Sequence, residues 1–465
     1  MARVHDARFD DANLLPAAGV LPVMSLAREA GLAGLAERHV KVPTDKGARP
    51  GAKVMAVVAG MAMGADSIDD LDVVRAGAMS EVAGFAYAPS TLGQFLRKFK
   101  FGHVRQLDAV AARLVPRLAE ASGLLGQAGG SGRVMADIDD SVVEVHGYRK
   151  QGAGRGYSGV KGLNMFLATV AGDGFRPAVI GARLRKGSVS SPRGAARLIQ
   201  DALKTVSRTH LAGRPVLMRA DSAFFGRPAI SAALKAGADV SVTAKMAKPV
   251  KRAIAAIPDD AWVKIKYTNA VWDADQQRWI SDAEVAEVPF TAFEAQRKAN
   301  HIEGRLVVRR VKELNPKAKE GQDELFQLWR HHPVFTTLDA AEATAVRVDE
   351  IHRDHAVIEQ VNSDLKASAM AHMPSGVFTA NAAWLVLATI AHNLLRAAAT
   401  LTGDPKLGKA TTPTIRRELV HVPGRLARSG RRFSLHLPRG WPWREAWTEM
   451  SARIAALRPA PALLA

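Results

Sequence analysis

Val134-Met-Ala-Asp-Ile-Asp139 alternates, with Val134, Ala136 and Ile138 on one face of an extended chain and Met135, Asp137 and Asp139 on the other. This is a strand with two acids on one face. Acids on a strand that is to be buried are costly unless they are paired or hold a cation. Downstream, Leu163 to Ala171 and Phe175 to Leu184 are two more strands, joined through Gly172-Asp173-Gly174 as an antiparallel hairpin. Ser191-Pro192 opens a helix to about Val206, and Pro215 to Ala220 is a short apolar run typical of a buried parallel strand. Pro228 to Ala236 is a second helix, stopped by Gly237, and Asp239 to Ala244 a fifth strand.

Strand, strand, strand, helix, strand, helix, strand is an antiparallel meander feeding two parallel crossover units. That order describes an α/β ribonuclease H-like core with a mixed five-stranded sheet, expected over residues 133–247 and 346–400. Between them, residues 248–345 break the pattern, with strand-like stretches at Trp262 to Tyr267, Arg305 to Val311 and Leu325 to Thr337. They predict a β-rich insertion, which holds Trp262, Trp272, Trp279 and Trp329. A helical period returns from Ile351, and Ala382 to Ala398 is apolar nearly all round, as a buried helix would be.

Both flanks are expected to be helical. In residues 1–125 the sharpest element takes Ser90 or Thr91 as N-cap and buries Leu92, Phe95, Leu96 and Phe99, leaving Arg97, Lys98 and Lys100 on its other faces. Gly126 to Gly132 reads as a linker. Residues 401–465 form a basic region containing Arg416, Arg417, Arg425, Arg428, Arg431 and Arg432, followed by Trp441-Pro442-Trp443.

The chain has 465 residues, 48% of them hydrophobic, more than one core normally absorbs. Lys+Arg 64 against Asp+Glu 45 leaves a net charge of +19, which favours a polyanionic partner, nucleic acid first; a merely soluble basic protein is the plainer alternative. Without cysteine there are no disulfides and no thiolate metal sites, which fits a reducing compartment such as the cytoplasm. Met1 to Pro16 lacks an apolar stretch of the signal-peptide kind and no run of eighteen apolar residues occurs, so neither export nor a membrane is expected.

Asp139 lies on the first core strand and Asp221 just after the fourth. In the expected sheet these strands are neighbours, so 221 − 139 = 82 residues of sequence collapse to contact distance. The third candidate acid is on the helix after the insertion, where Ile351, Ile358, Val361 and Leu365 mark the buried side. Glu359 stands beside them, with His352, His355, Asn362 and Lys366 at offsets of −7, −4, +3 and +7 along one stripe. Such a stripe suits a metal and phosphate site; an ordinary solvated polar face has the same composition. His352, His355 and Glu359 lack a further strong ligand for zinc. Gly154, Gly156 and Gly159 spell a dinucleotide-binding pattern but sit between two strands with no helix after them, so that reading is rejected. Arg149, Lys150, Arg155, Tyr157 and Lys161 around them make a basic loop suited to phosphates.

Asp137-Ile-Asp-Asp-Ser141 with Val142 to Gly147, the stretch Arg219-Ala-Asp-Ser-Ala-Phe-Phe225, and the Glu359 helix resemble the three motifs of bacterial insertion-sequence transposases of the 1380 group. That group belongs to the three-carboxylate (DDE) class with a large β insertion before the glutamate. The likeness covers roughly Val134 to Arg396. It implies a catalytic and metal-binding triad of Asp139, Asp221 and Glu359, with Asp137 as the alternative first ligand, and two Mg2+ or Mn2+ ions. Asp139 would bridge both ions while Asp221 and Glu359 each hold one. His352 and His355 stand where related enzymes carry Tyr and Arg, which puts the accessory phosphate contacts in question. The implied reaction is strand cleavage at transposon ends and transfer into target DNA. The implied partner is double-stranded DNA, held by a homodimer in the bacterial cytoplasm at the nucleoid. Arg97, Lys98, Arg149, Lys150, Arg155, Lys161, Lys366, Arg425, Arg428, Arg431 and Arg432 are the expected DNA contacts. A DNA-binding protein without catalysis, or a structure-specific nuclease of the same fold, are the competing readings.

Overall fold

A computed structural model describes residues 6–84, 86–147, 149–265, 272–273, 278–279, 283–312, 329–430 and 432–457. Five strands carry the centre: β1 (Val134–Glu144), β2 (Lys161–Gly172), β3 (Phe175–Lys186), β4 (Val216–Ala220) and β5 (Asp239–Thr243). β1 is antiparallel to β2 and β2 to β3, while β4 runs parallel to both β1 and β5. The spatial order is therefore β3, β2, β1, β4, β5. The helices Ala195–Val206 and Arg227–Lys235 are the crossovers into β4 and β5. In the β1 and β4 pair Ile138 lies opposite Ala220, so Asp139, midway along β1, and Asp221, just past the end of β4, come next in the register.

The sheet does not stop at five strands. Three long strands, β6 (Ala283–Ala292), β7 (Ile302–Lys312) and β8 (Trp329–Thr336), continue it, with β8 antiparallel on the outer edge of β5, then β7 and β6. With the short strands Gly154–Arg155 on β2 and Val263–Ile265 on β6, one mixed sheet of ten strands results. The five-stranded expectation fails because β5 would present an open row of backbone donors and acceptors, which β8 takes up. Of the strands in residues 248–345, β6 had no signal: Ala-Glu-Val-Ala-Glu-Val reads as helix former, but pairing along both edges overrides that preference.

The apolar helix Phe378–Leu401 is buried almost throughout and lies in one continuous core with the N-terminal helices and the sheet. It is long and apolar enough to cross a membrane, but its apolar window is entirely inside the protein. A second, smaller cluster seats the helix Ala345–Arg353, whose Val348 and Ile351 pack with Val285, Val307 and Leu217 of the sheet. This seating aims the next residues, through the turn Asp354–Ala356, into the helix Val357–Lys366 over β1.

The N-terminal flank is helical, at Val20–Glu29, Leu32–His39, Pro50–Met63, Pro89–Arg97 and Phe101–Ser122. The basic helix starts with Pro89 in its first turn after Ala88, not with Ser90 or Thr91 as cap, because the fixed φ of proline suits that position. The C-terminal flank is not all helical. Gly424–Ser429 and Arg432–His436 form an antiparallel hairpin to which Leu14–Leu15 adds a third strand, and among the described residues of this flank only Arg444–Ala455 is a long helix. Gly430, at φ 59°, supplies the tight turn that a helical reading of this arginine-rich run overlooks.

Candidate active site

Strand β1 turns Asp137, Asp139 and Ser141 toward the helix that crosses it, and each is met by a side chain from that segment. His355 Nδ1 lies 2.9 Å from Asp137 Oδ1, Asn362 Nδ2 donates to Asp139 Oδ2 at 2.7 Å, and Lys366 Nζ donates to Ser141 Oγ at 2.5 Å. Residues 355, 362 and 366 form one helical stripe, and Glu359 falls on it, four residues after the first and three before the second. Glu359 is exposed and makes no hydrogen bond or ion pair to any described residue.

The four aspartates here fall into two kinds. Asp137, fully buried, receives two hydrogen bonds from Arg219, Nε at 2.7 Å and Nη2 at 2.8 Å, while Arg219 Nη1 reaches the Ile351 carbonyl at 2.5 Å. Burial pushes its proton affinity up, but Arg219 and His355 outweigh that and hold the carboxyl below its ordinary range. Asp140 accepts from Arg185 at 2.5 Å and from Asn164 at 2.6 Å, and the Arg185 guanidinium lies 4.1 Å over the Phe166 ring. Asp139 and Asp221, by contrast, make no ion pair with a described lysine or arginine. Burial, with the charges of Asp221 and Asp140 added, pushes the Asp139 carboxyl up to about 6, against the pull of His355. The Asp221 carboxyl is raised as well, by burial first and then by Asp140, although it accepts the Ala223 N–H at 3.0 Å as the cap of a short turn.

His352 packs both ring nitrogens on hydroxyls, Nδ1 at 2.9 Å from Ser241 and Nε2 at 2.8 Å from Thr243. Burial then lowers it to about 3, so it is neutral, and with both ring nitrogens engaged by hydroxyls it serves as a positioning group. Among the described residues no three His, Asp or Glu side chains close around a point that can hold one metal ion. Asp139 and Asp221 are brought together; Glu359 shares their helix stripe without being gathered to them. The donor set still suits a hard divalent cation: neither carboxylate pairs with a described lysine or arginine, His355 acts on both only at a distance, and the buried Asn362 Oδ1 beside them has no hydrogen-bond partner.

The basic loop closes on itself. Arg155 donates to the Gly159 carbonyl at 2.6 Å across the turn Gly156 to Gly159, and Tyr157, 74% exposed, feels the charges of Asp140, Asp139 and Asp221. Arg149 is exposed, and Lys161 is half-buried and engaged. Lys150 is held by the Met373 carbonyl and Lys366 by Ser141, so both ammoniums are anchored to the protein in this arrangement. Farther out, Arg97 and Lys98 are exposed at the end of their helix, Arg425 pairs with Asp11 at 3.1 Å, and Arg428 and Arg432 lie on the C-terminal hairpin. Arg431 lies outside the described residues. Reading the sequence missed the two arginines that neutralise Asp137 and Asp140. For Arg219 a signal existed, because it directly precedes Ala220 and Asp221 on a strand that should be buried.

A family model described as transposase DDE domain group 1 matches residues 2–459, nearly the whole chain. The protein belongs to this family of transposases, a class that acts on DNA and works with divalent metal ions. A comparison with curated proteins gives no match.

Proposed function

We propose that the protein is a catalytically competent transposase of the insertion-sequence type, close to the 1380 group, that cuts a DNA strand at the ends of its element and joins the freed 3′-hydroxyl to target DNA. In this reading residues 133–247 and 346–400 are a ribonuclease H-like core and 248–345 an insertion into it. Residues 1–125 are then a DNA-binding region and 401–465 a basic C-terminal region, and the protein acts as a homodimer on double-stranded DNA in the cytoplasm. The observation that carries the reading is the contrast among the aspartates: Asp137 and Asp140 each have an arginine, while Asp139 and Asp221 have none. Two neighbouring carboxylates with no arginine or lysine partner among the described residues, and only His355 acting on both, favour a cation between them.

Asp139, Asp221 and Glu359 would hold magnesium or manganese; the alternative first ligand, Asp137, is the weaker candidate because Arg219 already pairs with it. When bound, such ions supply the charge that activates the attacking hydroxyl and stabilises the leaving oxygen in an in-line displacement at phosphorus. The protein's own part is orientation. Asn362 fixes the Asp139 carboxylate, His355 and Arg219 lock the strand through Asp137, and Lys366 anchors the end of the stripe at Ser141. A nuclease that only hydrolyses would use the same residues, so joining distinguishes the two.

The test pairs gel-shift affinity with magnesium-dependent nicking and strand transfer on a duplex carrying the element's end. Asp139→Asn and Asp221→Asn are expected to lose both reactions, by about a thousandfold or more, and to bind DNA as tightly as the wild type or slightly tighter. Nicking retained by Asp139→Asn but lost by Asp137→Asn would overturn the ligand assignment. Nicking without joining would favour the nuclease, and neither in the wild type the non-catalytic reading.

A further inference from the structure

The helix Val357–Lys366 has a second polar face. At about 100° per residue, Gln360 and Asp364 point away from the stripe that holds Asp139. Against that back face runs a cleft of about 850 Å³, which narrows to about 50 Å³ between Asp364, His392 and Arg396. Arg176, Gln360, Arg396 and Lys409 line both parts.

The narrow end is built and charged. Arg396, buried in the core helix, donates to the carbonyls of Gly408 and Ala410, which flank Lys409 and so fix it at the wall. Neither Arg176 nor Lys409 makes a hydrogen bond or ion pair to any described residue, and the Arg176 charge acts against that of Arg396. Asp364, the acid at this end, accepts from the Thr412 N–H at 3.0 Å and from its hydroxyl at 2.7 Å, and its single charge is shared among Arg396, Arg416 and His392. His392, 5% exposed, lines the same end with its Nδ1 3.6 Å from Asp364, and neither ring nitrogen has a hydrogen-bond partner. A buried imidazole without a hydrogen-bond partner, beside more cations than the single Asp364 carboxylate balances, leaves room for an acceptor-rich anion. A space of 50 Å³ admits a few waters or one tetrahedral oxyanion.

We propose that this pocket is a phosphate-group site, with Arg176, Lys409 and Arg396 supplying charge and His392 a hydrogen bond. It stands apart from the carboxylates and does not depend on the catalytic reading. An occupant ties the start of β3, the core helix and the 408–410 turn to the back of the very helix whose front carries Glu359 and Asn362. Occupancy therefore stiffens the segment that orients Asp139. The phosphate comes either from solution or from a DNA backbone.

The experiment uses the full chain. Thermal melting without DNA is followed in sodium phosphate against sodium chloride of equal ionic strength, for the wild type, Lys409→Gln, Arg176→Gln and the double variant. Lys406→Gln, exposed and outside the cleft, is the control. Phosphate is expected to raise the melting temperature of the wild type and of Lys406→Gln, with half-saturation weakened about tenfold or more in the double variant. Duplex binding against salt identifies the source. If a DNA phosphate enters, the double variant lowers the salt slope while Lys406→Gln does not, and free phosphate competes; if the slopes agree, the source is free phosphate. Equal phosphate stabilisation of all variants, or no stabilisation together with unchanged slopes, overturns the proposal. Lys409→Gln, at an exposed position, keeps the test open should Arg176→Gln fold poorly.

Discussion

Asp137 and Asp139 face the same way on one strand, two residues apart, yet their surroundings give them opposite consequences on substitution. Asp137→Asn leaves Arg219, 2% exposed, without its counter-charge, and breaking a buried pair in this way costs about 3 to 5 kcal/mol. Asp139→Asn keeps the acceptor for Asn362 and removes a carboxylate that repels Asp221. Its sign with pH follows from the raised proton affinity. The unfolded carboxyl titrates at 3.8 and the folded one at about 6, so the folded state holds this proton more tightly. Stability from this group is then fully present below pH 3.8 and is lost as pH rises through 6, by about 3 kcal/mol at most. Urea unfolding in the presence of a chelator is expected to show Asp139→Asn level with the wild type near pH 4 and more stable near pH 7, with added magnesium narrowing the gap. A pH-independent difference, or equal stability of the two variants, would contradict the division of labour between the two acids.

One segment sets the geometry: Ala345 to Lys366 reaches from the outer strands across β1, and its stripe contacts alternate strand residues. Asn362→Ala removes the only side-chain hydrogen bond that Asp139 receives among the described residues, without touching a carboxylate. Metal-dependent nicking is expected to fall about 10- to 100-fold, with partial recovery at higher manganese concentration and unchanged melting. A loss that no metal concentration relieves would point to a collapsed helix instead. The stripe and the alternation of β1 were legible in the sequence because both rest on local periodicity, 3.6 and 2 residues. The pairing of Arg219 with Asp137 was not, since it depends on a parallel register between strands 82 residues apart, 219 − 137 = 82. Nor was the role of β6, whose local preference is helical and whose strand state is imposed by neighbours on both edges. The docking of the outer strands on β5 is likewise a property of an edge, which no single stretch of sequence encodes.

At the scale of the whole molecule, an excess of +19 says only that a polyanion is favoured, and the fold decides which cations are available to it. Several are already engaged: Arg219, Arg185, Arg305 and Arg309 sit in buried or half-buried ion pairs, and Lys150 is held by a carbonyl. Others stand exposed, among them Arg97, Lys98 and Arg149 near the helical flank and the β1 loop, and Arg432 on the C-terminal hairpin. Each exposed cation that meets a phosphate releases a counterion, so the logarithm of affinity falls with the logarithm of salt by about 0.9 per phosphate neutralised on duplex. Replacing Arg97 and Lys98 together by glutamine is expected to lower that slope by up to about 2, and Arg432→Gln by up to about 1. Lys150→Met is expected to leave it unchanged, because its ammonium is committed to Met373 before DNA arrives. The measurement is fluorescence anisotropy on one duplex across a salt series, with melting curves to confirm folding of each variant. A slope that falls as much for Lys150→Met as for the exposed residues would show that bound DNA remodels the β1 loop and frees that lysine; a slope that no variant changes would place the phosphate track on another face of the protein.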